Sequence, residues 1–166
     1  TAVAAGVSAI GDVHGGAMEP CAAILKAAVT AGTGADQVVR EQLAGGKRMP
    51  GYGHPVHRES DPRVVSLLKL AAEWGVSGAH TALALELETH LEKELGRHLP
   101  MNVDGAIAAL LCDMEIDPAL GKTFFIVSRA AGYAAHAHEQ TTAERPFKAP
   151  GIEEITYSGP EKRDIP

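Results

Sequence analysis

The segment Gly51-Tyr52-Gly53-His54-Pro55-Val56-His57-Arg58-Glu59-Ser60-Asp61-Pro62-Arg63 combines a tight bend, an imidazole and a cation. Pro50, Gly51 and Gly53 let the backbone turn sharply and present its N–H groups. His54 sits in that bend, where a ring can point into a cleft and polarise a bound group. Asp61-Pro62 has the composition of an N-cap followed by proline at the first helical position. Arg63 then falls in the first helical turn, where the helix dipole disfavours a cation. An arginine there implies an anionic partner. The competing reading is an ordinary glycine-rich turn before a helix.

Three further groups could carry chemistry. His14 lies between Gly11-Asp12-Val13 and Gly15-Gly16, just ahead of a helix start. That setting favours a neutral imidazole, which can donate a hydrogen bond to a developing oxyanion or enolate; a helix-capping histidine would occupy the same place. Asn102-Val103-Asp104-Gly105 puts a carboxylate at the second helical position. Such an Asp either complements the dipole or, if desolvated, acts as a base; the dipole alone would depress its pKa and weaken it. Arg129 lies in an otherwise apolar helix, with Arg145-Pro146 downstream, and must meet a carboxylate or reach solvent. The 8 histidines call for a check on metals. His54-x-x-His57 and His136-x-His138 lack the cysteine pairs of a structural zinc site, and His-Glu-x-x-His is absent, so no metal is expected. No nucleophile elbow or phosphate-binding P-loop is present.

The elements that must position these groups are helical. Apolar spacing predicts helices ending near Ile10 and spanning 18–31, 36–43, 62–74, 79–95, 103–114 and 122–139. Leu83, Leu87, Leu91 and Leu95 form one stripe, with Glu86, Glu92, Lys93 and Glu94 solvated. Val127, Ala130, Ala131 and Ala134 make a small-residue face suited to close packing. The tail from Thr141 reads as extended, with one short strand over 152–157. No series of alternating strands appears, so the class is all-α.

Composition sets outer bounds. The 166 residues are 45% hydrophobic and 22% charged, ordinary for a globular chain. A net charge of −6 argues against general nucleic-acid binding. No apolar run approaches the ~20 residues of a membrane span, and no signal peptide is seen. Cys21 and Cys112 both fall in apolar helical patterns and read as buried thiols in a reducing, cytoplasmic setting.

Gly11 through Glu19 (GDVHGGAME), Pro50 through Arg63, Asn102 through Gly105 and Ser128 through Gln140 (SRAAGYAAHAHEQ) together resemble citrate synthase and its citryl-CoA-cleaving relatives, including the C-terminal module of ATP-citrate lyase. Tyr157 through Arg163 resembles that family's closing segment. The resemblance implies a citrate synthase-like all-α fold. Residues 1–14 would end a large-domain helix, 15–108 would form the small CoA-binding domain, and 109–166 would return to the large domain. It implies that His14 stabilises the enol of an acetyl thioester, Asp104 removes the methyl proton and His54 polarises the ketone of oxaloacetate. Arg63, Arg129 and Arg145 would bind carboxylates, the last from a neighbouring subunit. Lys47, Arg48, Pro50, Gly51, Tyr52 and Gly53 would wrap coenzyme A. The implied partners are oxaloacetate or citrate and CoA thioesters, in a homodimer or larger homo-oligomer.

This sequence also departs from the family pattern. Asp12 and Met18 replace a usual Pro and Asn, and Gly11-Asp12 with Asn102 through Gly105 look closer to the citryl-CoA-cleaving branch. His57 is not a usual residue at its position and is expected to face solvent. The family's large domain has many helices ahead of the position of His14, which leaves part of a longer chain or a reduced protein as expectations. Two functions follow: an enzyme that makes or cleaves citryl-CoA, or a catalytically weak CoA-binding or assembly subunit.

Overall fold

The structure is a computed structural model and describes residues 1–12, 14–145 and 151–161. Val13, Pro146, Pro150, and Lys162 and Arg163 of the closing motif lie outside the described residues. The chain runs through α1 (Ala2–Ser8), α2 (Met18–Ala31), α3 (Ala35–Ala44), α4 (Pro62–Glu73), α5 (Ala79–Leu95), α6 (Val103–Asp113) and α7 (Gly121–Thr142), with 3-10 turns at Pro118–Leu120 and Ile152–Glu154. Every helix expected from spacing is present, within about three residues at each end.

The stop signals follow glycine chemistry. Gly32 and Gly96 close α2 and α5 in the left-handed region, at φ 66° and 63°, where a side chain would be strained. The strand expected over 152–157 is instead a 3-10 turn followed by irregular chain. Among the described residues there is no strand to supply its ladder bonds, and a lone strand has no stable form.

The core lies where α2, α5 and α6 meet. Cys21, Leu25, Leu87, Leu91 and Ala106 are fully buried there, with Val39 from α3 and Met101 beside them. The Leu83, Leu87, Leu91 stripe faces inward as its spacing predicts, each residue contributing roughly 1.5–3 kcal/mol on burial. Ala22, Ala106 and Ala109, all fully buried, let α2 and α6 approach closely. The Cys112 Sγ lies 3.8 Å from the Ala22 carbonyl across that seam. Both cysteines are buried free thiols, and burial pushes Cys21 up to about 12.

One buried carboxylate joins α5 to α6. Asp113, at the end of α6, accepts from the N–H groups of Gly78, His80 and Thr81 at 2.8–2.9 Å and from Thr81 Oγ1 at 2.6 Å. It therefore caps the start of α5 from a neighbouring helix. At the other end of the molecule α1 packs on α7. A Cβ at Gly6 would sit 2.9 Å from the Tyr133 ring, so only glycine allows that approach. Among the described residues no helix is long and apolar enough to cross a membrane.

Candidate active site

The organising loop is stitched to the start of α6. Gly53 N–H donates to the Pro100 carbonyl at 2.7 Å, and Asn102 N–H donates to the Gly51 carbonyl at 2.9 Å. Tyr52 and Met101 form the antiparallel bridge between them, and Asn102 Nδ2 donates to the Gly53 carbonyl at 2.9 Å. Glycine is required at position 51. Its φ is 85°, and a Cβ there would lie 2.7 Å from Gly105 Cα and 2.9 Å from Cys21 Sγ. These links place His54 beside Asp104 although they are far apart in sequence.

His14, His54, Arg63 and Asp104 line one cavity of about 390 Å³, together with Gly53, Asn102, Val103 and Phe125. Each is held differently. His54 Nδ1 accepts from the N–H groups of Val56 at 3.1 Å and His57 at 3.0 Å. With both donors on Nδ1, the ring's own proton must reside on Nε2. Burial, then the neighbouring His57 and Arg63, hold its pKa below the ordinary histidine value. His54 is therefore a neutral donor. His57 does not simply face solvent: it is half-buried and stacked on His54, with ring centroids 4.6 Å apart.

Asp104 follows the Asn102 cap, whose Oδ1 accepts from the N–H groups of Asp104 and Gly105. Burial raises its pKa, against the opposing pull of Arg63, His14 and His54. Desolvation thus outweighs the neighbouring positive charges, the direction that favours a carboxylate as a proton acceptor. His14 is fixed by paired backbone bonds with Gly11, both 3.1 Å. Its ring meets Phe125 of α7 edge-on, centroids 5.3 Å apart.

Arg63 already has an anionic partner within the chain. Asp61, 1% exposed, caps α4 and takes the Arg63 side chain in a two-point contact. It also accepts from Val103 N–H at 3.2 Å, joining α4 to α6. The sequence marks Asp61 only as a cap; its second role depends on tertiary contact. The pair occupies Nε and Nη2, so the Nη1 end is the edge of Arg63 that can reach an anion in the cavity.

A second cavity, about 470 Å³, shares Gly53, His54 and Pro55 with the first. Lys47, Arg48 and Arg97 stand around it, and Leu43, Met49, Leu91, Leu95 and Leu99 give it apolar walls. Tyr52 lines it too, and its buried hydroxyl donates to the Ala84 carbonyl at 2.6 Å. Burial pushes that phenol well above its usual pKa. Pro50 and Gly51 shape the turn behind the wall. Arg97 has no sequence signal of its own, since it follows the glycine stop of α5 and looks like a solvated helix end.

Arg129 and Arg145 line neither cavity. Arg129 is one turn beyond Phe125 on the same face of α7, ~5.4 Å further along the axis. Its guanidinium lies over the Tyr133 ring, 5.0 Å from the centroid. Arg145 is exposed just past the end of α7, where its carbonyl accepts from Gln140 Nε2.

Known proteins are similar to this chain in sequence and fold. The family model described as "Citrate synthase, C-terminal domain" matches residues 1–150. A probable ATP-citrate synthase of Dictyostelium discoideum is 29% identical over 174 aligned residues, covering 95% of this chain and 28% of that protein. The structure of citryl-CoA lyase from Hydrogenobacter thermophilus superposes with a TM-score of 0.84 at 37% identity, covering 99% of this chain and 65% of that one. An ATP citrate lyase variant of Methanosaeta concilii, solved with (3S)-citryl-CoA, gives a TM-score of 0.77 at 28% identity over 95% of this chain and 28% of its own. The chain thus spans less than two thirds of the length of each of these proteins. With the family model running from the first residue through α7, this chain belongs to the citrate synthase family.

Proposed function

We propose that this chain makes or cleaves the carbon–carbon bond of citryl-CoA, acting on acetyl-CoA and oxaloacetate or on the citryl thioester. The carrying observation is that His14, His54, Arg63 and Asp104 line one cavity, which shares the wall segment Gly53 to Pro55 with a second one lined in part by Lys47, Arg48 and Arg97. The first has the groups for an enolisation, and the second suits a phosphorylated thioester carrier. Lys47, Arg48 and Arg97 would meet phosphates, and the leucine wall would take the apolar part of coenzyme A.

In the direction of synthesis, Asp104 takes a proton from the methyl carbon of the acetyl thioester. The electron pair of the broken C–H bond forms the carbon–carbon double bond of the enolate and the thioester carbonyl π pair moves onto its oxygen, where His14 donates a hydrogen bond. His54 Nε2–H donates to the ketone oxygen of oxaloacetate and makes its carbon electrophilic. The new bond joins the methyl-derived carbon to that ketone carbon, the ketone π pair moves onto its oxygen, and that oxygen takes the Nε2 proton of His54 to become the citryl hydroxyl. Cleavage retraces these steps, with protonated Asp104 returning the proton to carbon. A positioned base supplies ~10²–10⁴-fold, and one aimed donor adds about 3–4 kcal/mol.

We read residues 15–108 as the small CoA-binding domain, with α2 to α5 and the CoA-facing cavity, and 1–14 and 109–166 as large-domain parts; α1 packs on α7, while α6 spans the boundary and adds Ala109 and Cys112 to the core. Arg129, one turn beyond the cavity-lining Phe125, and Arg145, supplied by a neighbouring copy, both stand as substrate arginines in this reading. Incubation with citryl-CoA, followed by assay of oxaloacetate and acetyl-CoA, tests the proposal. Formation of both supports it. Saturable CoA binding with no turnover in either direction would instead favour a CoA-binding or assembly subunit.

A further inference from the structure

His57 stands outside the proposed chemistry yet touches its key donor in two ways. Its backbone N–H is one of the two donors on His54 Nδ1. Its ring lies 4.6 Å from the His54 ring, inclined by 28°, as a stack. We propose that His57 is a positioning residue for His54, holding it as the neutral, Nε2-protonated donor. This rests on the reading of His54 as the group that polarises the keto acid.

His54 Nδ1 is already taken by two backbone donors. A proton added to that nitrogen would face the N–H groups of Val56 and His57, so both hydrogen bonds would break. Charge on the His57 ring, stacked 4.6 Å away, then opposes a second cation on His54 by Coulomb repulsion. Other groups face the same ring. Arg63 of α4 adds to the repulsion, while Asp61 before α4 and Asp104 of α6 oppose it. His14 stands on the same cavity wall. His57 is the member of this set that both stacks on the ring and supplies one of its fixing hydrogen bonds. Its position is half-buried, so substitution leaves the core untouched.

The test is imidazole ¹H–¹⁵N correlation spectroscopy on the whole chain, titrated with pH, for wild type, His57→Phe and His57→Leu. His57→Phe keeps a flat ring and removes the charge. Its His54 should keep the Nε2–H tautomer but take up a proton at a pH higher by about half a unit. His57→Leu should show that rise and also lose the single ring orientation. In activity, the acid limb of kcat/KM should move by the same amount while the KM for the CoA substrate stays fixed. Identical His54 titrations in wild type and His57→Phe would overturn the proposal, whatever the turnover. A shifted titration with no citryl-CoA turnover in any variant would uphold the coupling and remove only the reaction assignment.

Discussion

Asp61 grips Arg63 at two points, accepting from Nε at 2.9 Å and from Nη2 at 2.7 Å. The same carboxylate caps α4 and holds the start of α6 through Val103. One buried side chain therefore sets the position of a cavity-lining cation and of the helix that carries Asp104. Asp61→Asn should keep most of the cap but set an amide donor against Arg63, raising the KM for oxaloacetate several-fold. Asp61→Ala should also cost about 1–3 kcal/mol of stability in urea unfolding. The Arg63 contact holds the Asp61 carboxyl below its ordinary range. Its stabilisation is thus present above about pH 4 and is lost as pH falls through the lowered folded value. Acid unfolding of Asp61→Asn should lack that component.

Asp104 has the opposite sign. Burial raises its pKa, so the folded state holds this proton more tightly than the unfolded chain. Its effect on stability is most favourable at low pH and declines as pH rises through the raised folded value. Asp104→Asn should therefore melt at a higher temperature than wild type at neutral pH, and the gap should close in acid. The same substitution should lower turnover by ~10²–10⁴-fold.

Two glycines in one loop should respond differently to alanine. Both Gly51 and Gly53 have positive φ, 85° and 82°. A Cβ at 53 would meet only Leu99 Cδ2 at 3.4 Å, whereas one at 51 would meet backbone at 2.7 Å. Gly53→Ala should cost about 1–2 kcal/mol, from backbone conformation alone. Gly51→Ala should cost about 2–4 kcal/mol, because Gly105 must also move. Urea midpoints distinguish the two.

Asp113→Ala should be among the more damaging substitutions away from the cavity. It would strip the cap from α5, leaving three N–H groups and the Thr81 hydroxyl without their acceptor. A loss of about 2–4 kcal/mol is expected in chemical unfolding. Thr81→Val, which removes one donor of that set, should cost less.

Much of this was legible in the sequence. The apolar period of Leu83, Leu87 and Leu91 predicts α5 and its buried face, and Asp61-Pro62 and Asn102 mark the starts of α4 and α6 where the structure has them. What spacing alone does not give is convergence. His54 and Asp104 meet because the bend at Gly51 to Gly53 pairs with the turn before α6, and His14 joins them from its own turn, held by Gly11 and set against Phe125 of α7. Arg63 had a signal in its unfavourable dipole position. Asp113 carried the mirror of that signal, an acid in the last turn of a helix, and its partners are the exposed amides of α5. Arg97 had none, since its place beside Lys47 and Arg48 follows from how α3 packs on α5. The strand expected near Tyr157 failed for want of a pairing partner, which local propensity does not report.

The account turns on Asp104 taking a proton from carbon within a cavity shared with both imidazoles. Its most direct measurement is deuterium uptake into the methyl group of acetyl-CoA in heavy water, with a non-reacting hydroxy-dicarboxylate in the keto-acid position. Wild type should exchange; Asp104→Ala should fall to the buffer rate with its CoA affinity nearly unchanged. Undiminished exchange in Asp104→Ala would contradict the account.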